Sequence, residues 1–237
     1  MEEAILTPAE LQIFAFGKGM EMALGGMQVH GPEEMAKTFE DLRKVQGSAL
    51  IIGGLAVIHY GYQRYTHDID ILYANADGNI LQRLKADFSI VVKAQSGWHE
   101  LKHRKTGVRL ELIPEGGLGT YGLIPGPKTA GGEGGFISLL GLVWLKLVSG
   151  RSKDNADIVE VAKARPGELD ALSDKLPEEL RGRFAGLLAQ AEKEKRNDPG
   201  RMPDGFVEDT DAERVSEAPA RYAKKKRAAR TKRTAAK

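Results

Sequence analysis

The sequence predicts an α+β protein with a mixed β-sheet, flanking helices, a C-terminal helical cap and a disordered basic tail. Two segments predict the sheet: an alternating stretch at residues 68–72, and a hairpin of residues 98–102 and 108–113. Residues 138–148 and 166–194 predict the cap, because their apolar residues recur at helical spacing. From residue 197 onward apolar periodicity disappears and Pro, Gly, Lys and acidic residues dominate, which is typical of disorder.

Composition limits the classes of protein to consider. The chain has 237 residues, of which 41% are hydrophobic, enough for a true core. It has no cysteine, so disulfides and thiolate metal sites are excluded. Neither a signal peptide nor an apolar run of membrane-spanning length is recognisable, so we expect a cytoplasmic protein with no membrane partner.

The net charge of +2 conceals a strong asymmetry along the chain. Residues 221–237 carry nine Lys and Arg residues and no acid, whereas residues 1–220 carry 26 basic and 33 acidic side chains, a net charge of −7. The basic cluster at residues 224–227 is a candidate for binding nucleic-acid phosphates. A solvated tail without a dedicated partner is an equally good interpretation.

Changes in composition divide the chain into four predicted parts. Residues 1–31 form an N-terminal extension, and residues 32–135 form the core. The core begins with a helix that carries Met35, Phe39 and Leu42 on one stripe. Residues 136–195 form a C-terminal helical subdomain, and residues 196–237 form the disordered basic tail.

The stretch at residues 50–72 organises the core. An apolar run ends at Gly53-Gly54, a short helix-like segment follows, and the stretch closes on Asp68-Ile69-Asp70. Alternation on a strand places both carboxylates on one face, where they suit a hard divalent cation such as Mg²⁺. The glycine pair lets bare backbone N–H groups approach a phosphate. Together these features predict phosphoryl or nucleotidyl transfer.

The spacing within this stretch carries a family resemblance. The pattern apolar-Gly-Gly, thirteen residues, then Asp-apolar-Asp-apolar resembles the signature of the nucleotidyltransferase superfamily, which has the DNA polymerase β-like fold. Gly61, Arg64-x-Thr66 and the acidic pair resemble its bacterial minimal and AbiEii-toxin-type branches. The resemblance covers about residues 35–165. It implies a nucleotidyltransferase-type sheet, with Gly53, Gly54, Arg64 and Thr66 at the nucleotide.

A third carboxylate is predicted on a later strand. Glu111 lies between Leu110 and Leu112 on the second strand of the hairpin, so alone it would be interpreted as a solvent-facing strand residue. The superfamily carries a third acid on such a strand, and the resemblance therefore implies that Glu111 completes the metal ligands with the acidic pair. Glu115 is the weaker alternative because it follows Pro114 in a loop.

A fourth group of candidates lies at the end of the apolar helix. The sequence K-x4-R-x-K-D-x2-D at residues 146–157 resembles the closing motif of AbiEii-type nucleotidyltransferases. This resemblance implies that Lys146, Lys153 and Asp154 line the nucleotide site. The alternatives are that Lys146 extends to the helix edge and that the other charges only cap a helix.

The segment at residues 114–135 is rich in Gly and Pro. Gly117-x-Gly119-x-x-Gly122 matches the dinucleotide-binding fingerprint, but Pro125 and Pro127 do not allow the helix that this fingerprint requires. We expect a mobile loop beside the site, where it would serve as a substrate lid.

These observations predict transfer of a nucleoside monophosphate from an NTP to a hydroxyl acceptor. Asp68, Asp70 and Glu111 would hold two Mg²⁺ ions, with Mn²⁺ as the alternative metal. The AbiEii-type resemblance implies an RNA or tRNA acceptor and an antitoxin protein as partner, while a small-molecule acceptor fits the core equally well. The competing hypothesis is a catalytically silent nucleotide- or RNA-binding scaffold of the same fold.

Overall fold

A computed structural model of the chain describes residues 30–42, 49–120 and 122–197. Residues 1–29 of the predicted N-terminal extension, residues 43–48 and the predicted basic tail from residue 198 onward therefore lie outside the described residues. The described part confirms the α+β class, with one mixed sheet and helices beside it.

The main sheet has seven strands: β1 (Ala49–Ile52), β2 (Asp68–Tyr73), β3 (Phe88–Lys93), β4 (His99–His103), β5 (Arg109–Pro114), β8 (Gly132–Glu133) and β9 (Phe136–Ile137). Strands β6 (Leu118–Gly119) and β7 (Gly122–Leu123) form a separate two-stranded sheet. The order of strands in the main sheet is β3-β4-β5-β2-β1-β9-β8. Strand β2 is antiparallel to β1 and parallel to β5, and β1 and β9 are also parallel. The acidic strand β2 is therefore central, between two paired neighbours.

The predicted alternation on β2 and β5 is confirmed by burial. Ile69 and Ile71 on β2 and Leu110 and Leu112 on β5 are buried, whereas the residues between them on each strand face a partly open surface. One face of the sheet therefore forms the core, and the other carries the acidic residues.

Helix α1 (Pro32–Leu42) packs against the turn between β4 and β5. Its predicted apolar stripe is buried, and Thr38 Oγ1 lies 2.8 Å from Thr106 Oγ1. On the same side, the buried His103 ring lies between Asp41, 3.2 Å from Nε2, and Thr106, 2.7 Å from Nδ1. These polar contacts tie α1 to the hairpin without leaving the buried imidazole unpaired.

Two segments differ from the sequence-based prediction. The amphipathic pattern over residues 80–88 predicts one helix, but the helix α3 covers only Ile80–Leu84. Phe88 instead begins β3 and is buried in the core. The glycine- and proline-rich segment is not a plain loop. It contains β6 (Leu118–Gly119), β7 (Gly122–Leu123), the one-turn helix α4 (Pro127–Ala130) and β8. Such short elements have no periodicity that a sequence could reveal.

The remaining helices form the predicted helical region. They are α5 (Leu139–Ser149), α6 (Ser152–Ala164), a 3-10 helix (Asp170–Lys175) and α7 (Glu178–Arg196). Ser138 caps α5 by accepting a hydrogen bond from the Gly141 backbone N–H, and Gly150 ends it in the left-handed conformation. The predicted boundary at residue 135 falls between β8 and β9, two strands of one hairpin in the sheet.

Within the described part of the chain, no helix has both the length and the apolar character needed to cross a membrane.

Candidate active site

Three carboxylates converge on the open face of the sheet. Strand β2 pairs with β5 so that Asp70 lies opposite Glu111, and Asp68 lies two residues before Asp70 on the same face. One oxygen from each of the three side chains lies within 4.8 Å of the others. All three residues are partly exposed, so a solute can reach them. The structure thus brings together the three acids that the sequence analysis placed at one metal site.

The electrostatics of this cluster suit a bound cation. Burial raises the pKa of Asp70 to about 6, and the charges of Asp68 and Glu111 add to the increase. The Lys146 ammonium and a hydrogen bond from the Gly54 backbone N–H act in the opposite direction. Three carboxylate oxygens this close repel one another, and a hard divalent cation removes that repulsion by binding them. The donor set therefore fits Mg²⁺ or a similar ion.

Only glycine fits at positions 53 and 54, because the side chains of Asp70 and Thr66 occupy the space where a Cβ would lie. Ile52 lies opposite Asp70, so the next residue, Gly53, begins helix α2 (Gly53–His59) beside that carboxylate. Gly53 has a φ of 62°, and a Cβ there would lie 1.7 Å from Asp70 Oδ2. A Cβ on Gly54 would lie 2.5 Å from Thr66 Oγ1. Larger residues at these two positions would displace the side chains that form the site.

Thr66 orients the first carboxylate of the pair. Its hydroxyl is 3.1 Å from Asp68 Oδ1, to which it donates a hydrogen bond. Thr66 is itself buried, so this contact holds Asp68 in one orientation. The family resemblance implies that Thr66 lies at the nucleotide. In the structure Thr66 lines the same cavity as the carboxylates and contacts Asp68 directly.

A buried ion network closes the other side of the site. Lys146 Nζ lies 2.8 Å from Asp154 Oδ1 and 2.6 Å from Asp157 Oδ2, and all three side chains are at most 6% exposed. Arg64 reaches the same Asp157 from the chain segment before β2, with Nε 2.8 Å from Oδ1. The network joins α5 and α6 to the segment that leads into the acidic strand.

Asp154 accepts hydrogen bonds from three side chains of this region, and its pKa is lowered. Burial acts to raise its pKa, but the charge of Lys146 and hydrogen bonds from Arg151, Lys146 and Ser149 lower that pKa to about 2. Ser149 Oγ and Arg151 Nε each lie 2.6 Å from Asp154 Oδ2. The carboxylate is therefore ionised throughout the neutral range and fixes the start of α6 to the end of α5.

A cavity of about 460 Å³ lies between the sheet face and helices α5 and α6. Its wall includes nine of the ten residues predicted for the site: Gly53, Gly54, Thr66, Asp68, Asp70, Glu111, Lys146, Lys153 and Asp154. The tenth, Arg64, is not among the described lining residues and instead pairs with Asp157. The wall also contains Trp98, Ser149 and Arg151, which sequence analysis did not assign to the site.

The raised pKa of Asp70 predicts a pH-dependent stability in metal-free protein. Because the pKa of Asp70 is about 6 in the folded protein and an ordinary aspartate has a pKa of 3.8, stability falls as pH rises from about 4 to about 6 and then levels off. The total loss is up to about 3 kcal/mol. Thermal melts in chelator should therefore show Asp70→Asn gaining stability over the wild type above pH 6, and Mg²⁺ should reduce this difference.

The control for this measurement is Asp174→Asn, which changes an exposed carboxylate on the 3-10 helix. Its melting curve should follow that of the wild type across the whole pH range. Equal stability of Asp70→Asn and wild type at pH 8 without metal would show that neither burial nor the neighbouring carboxylates destabilise the ionised Asp70 in the folded protein.

Comparison with known proteins gives structural likenesses only. No protein-family model matches the sequence, and no curated protein sequence matches it. The antibiotic-resistance factor ANT(2'')-Ia is similar in structure at 14% identity, over 70% of this chain and 96% of that one, with a TM-score of 0.44. A candidate nucleotidyltransferase from H. pylori is similar at 15% identity, over 68% and 96% of the two chains, with a TM-score of 0.37.

A third structure is TM1012 from Thermotoga maritima, also named as a candidate nucleotidyltransferase. It is 17% identical over 35% of this chain, with a TM-score of 0.29, and the chain spans 57% of its length. At these identities and TM-scores the likenesses establish neither the family nor the reaction of this chain.

Proposed function

We propose that this chain is a Mg²⁺-dependent nucleotidyltransferase that moves a nucleoside monophosphate from an NTP to a hydroxyl acceptor. The observation that carries the proposal is the convergence of Asp68, Asp70 and Glu111 at the wall of a cavity large enough for a nucleotide. A metal bound there would supply charge stabilisation for the attacking and leaving oxygens of an in-line displacement. These three residues would hold it.

The transfer requires one bond to form and one to break. The acceptor oxygen attacks the α-phosphorus, the bond between the α-phosphorus and the bridging oxygen breaks, and pyrophosphate leaves with the electron pair. The hydroxyl proton needs an acceptor, and Glu111 is our candidate because its carboxylate lies in the cluster and is partly exposed. Glu111 therefore has two proposed roles, as a metal ligand and as the base.

The rest of the cavity would position the triphosphate. Gly53 and Gly54 line the cavity beside the carboxylates, and we propose that the phosphates contact their backbone there. Lys153 is exposed at the cavity wall and would neutralise phosphate charge. Lys146 and Arg64 already face Asp157, so their proposed role is to hold the nucleotide-binding wall in place.

The acceptor is proposed to be RNA, and a tRNA would satisfy the same chemistry. The resemblance to AbiEii-type toxins supports this choice and also suggests an antitoxin protein as partner. The basic residues beyond residue 220 are consistent with an RNA partner. The exposed Arg109 and Lys102 on the sheet face of the site give a separate reason to expect a phosphate-bearing acceptor.

The test is incubation of the full chain with each NTP, labelled at the α-phosphate, together with Mg²⁺ and total cellular RNA. We expect label on RNA with one or a few of the four nucleotides. A parallel reaction contains neutral and cationic small hydroxyl compounds in place of RNA. If metal-dependent NTP binding is absent and no acceptor is labelled, the enzyme proposal fails and a silent scaffold remains.

A further inference from the structure

Two basic side chains continue the row of site residues across the sheet. Asp68 on β2 lies opposite Arg109 on β5, and Arg109 lies opposite Lys102 on β4. Residues directly opposite each other on neighbouring strands point to the same face of a sheet. Arg109 and Lys102 therefore stand on the face that carries the three carboxylates, and lead from that cluster toward the β3 edge.

The charges of these two residues are available to a ligand. The Arg109 side chain is 45% exposed, and its one described ion pair is long, with Nη1 3.8 Å from Glu100 Oε1. Lys102 is exposed and has no acidic partner within ion-pair distance in the part of the chain that the structure describes. By contrast, Lys146 and Arg64 on the helical side of the site both pair with a buried aspartate.

The same row continues into a second cleft. Lys102 lines a polar depression of about 410 Å³ at the turn between β4 and β5, together with Arg104 and Lys105. Both of these residues are exposed. We name Arg109, Lys102, Arg104 and Lys105 the basic strip. It runs from the carboxylate cluster to the hairpin turn.

Besides burial, the positive charges of two strip residues lower the pKa of a neighbouring histidine, His30. Burial lowers the pKa of His30, Glu34 opposes this change, and the charges of Lys102 and Arg109 lower the pKa further. Two strip residues on different strands thus act on one nearby group. Their positive charges are concentrated in one region rather than scattered over the surface.

We propose that the basic strip binds a phosphate group of the acceptor, next to the hydroxyl that receives the nucleotide. This inference rests on the proposed function, because it assigns the acceptor side of the same site. Positive charges on an open face attract a polyanion and orient it without reading its sequence. An acceptor without phosphate would gain nothing from the strip, and a cationic one would be repelled by it.

The test compares two double variants of the full chain. Lys102→Gln/Arg109→Gln removes two charges of the strip, and Lys175→Gln/Lys193→Gln removes two exposed charges on the 3-10 helix and α7. Fluorescence anisotropy of a short labelled single-stranded RNA is measured over a series of salt concentrations. We expect the strip variant to bind about tenfold more weakly at low salt.

The salt series separates a phosphate contact from a general loss of charge. Each lost phosphate contact to a single strand lowers the slope of log K against log salt by about 0.7. The slope of the strip variant should therefore be lower by about 0.7 where Lys102 and Arg109 hold one phosphate together, and by about 1.4 where each holds its own. The control variant should keep the wild-type slope. Affinity for an NTP with Mg²⁺ should be unchanged in both variants, which shows that the nucleotide side of the site is intact.

A second arm distinguishes polymeric from small phosphorylated acceptors. Labelled-NTP transfer to a nucleoside monophosphate that carries a free hydroxyl is compared among the wild type and both variants. If only this transfer depends on the strip, the acceptor is a small phosphorylated molecule. If neither RNA affinity nor this transfer differs between the strip variant and the control, the proposal is overturned. Loss of metal-dependent NTP binding in the wild type would instead refute the proposed function.

Discussion

Nucleotidyl transfer by Asp68→Asn/Asp70→Asn is expected to be at least about a thousandfold slower than by the wild type. Both substitutions keep the shape of the side chains and remove their charge, so the cluster loses two of the three carboxylates that would bind the metal. Metal-dependent NTP binding should be lost as well. The measurement is the initial rate of transfer from an α-labelled NTP, together with calorimetric titration of an NTP in the presence of Mg²⁺.

The matched control is again Asp174→Asn, in which the same chemical change is made at an exposed carboxylate far along the chain from the cluster. Its transfer rate should equal that of the wild type. Circular dichroism of the double variant should retain the wild-type spectrum, because the repulsion within the cluster is reduced rather than increased. A folded double variant that kept more than about a tenth of wild-type activity would refute the assignment of these residues as metal ligands.

The second large effect is expected on stability, from Lys146→Met. Lys146 is buried and lies within 2.8 Å of Asp154 and Asp157, so its removal leaves two buried carboxylates with less compensating charge. Breaking a buried pair in this way costs about 3–5 kcal/mol. For a chain of this size that is a drop in Tm of roughly 10 °C.

The control for this variant is Lys163→Met. Lys163 also has two acidic partners, Glu160 and Glu194, but its side chain is 25% exposed and those of its partners are 31% and 41% exposed. Water screens such a pair, and its loss should cost no more than about 1 kcal/mol. Equal Tm values for Lys146→Met and Lys163→Met would mean that the buried network does not support the fold.

The carboxylates could be predicted because their signals are local. Asp68 and Asp70 differ by two positions on one strand, and alternation alone places them on one face. Glu111 could not be placed at the site from local signals alone, because the pairing of β2 with β5 brings together residues far apart in the sequence. Its position between Leu110 and Leu112 predicts a strand, and only the family resemblance implies that this strand lies beside the acidic pair.

The ion network could not be predicted in the same way. Arg64 and Asp157 are 93 positions apart, and nothing in either local sequence indicates that they meet. The resemblance therefore implies a role for Arg64 at the nucleotide, and no local signal marks Asp157 as its partner. The tight fit of Gly53 against Asp70 is equally a consequence of packing. The glycine pair was recognised, but its structural reason was visible only once β1 and β2 were paired.

The sharing of Asp157 between Arg64 and Lys146 also bears on how the molecule moves. One carboxylate holds the chain segment before the acidic strand and the helical region together, and Arg165 Nε adds a further link by donating to the Tyr60 carbonyl at 3.0 Å. The sheet and the helices are therefore expected to behave as one cooperative unit rather than as two bodies that close over a hinge. Substrate entry then depends on side chains and short segments at the rim of the cavity.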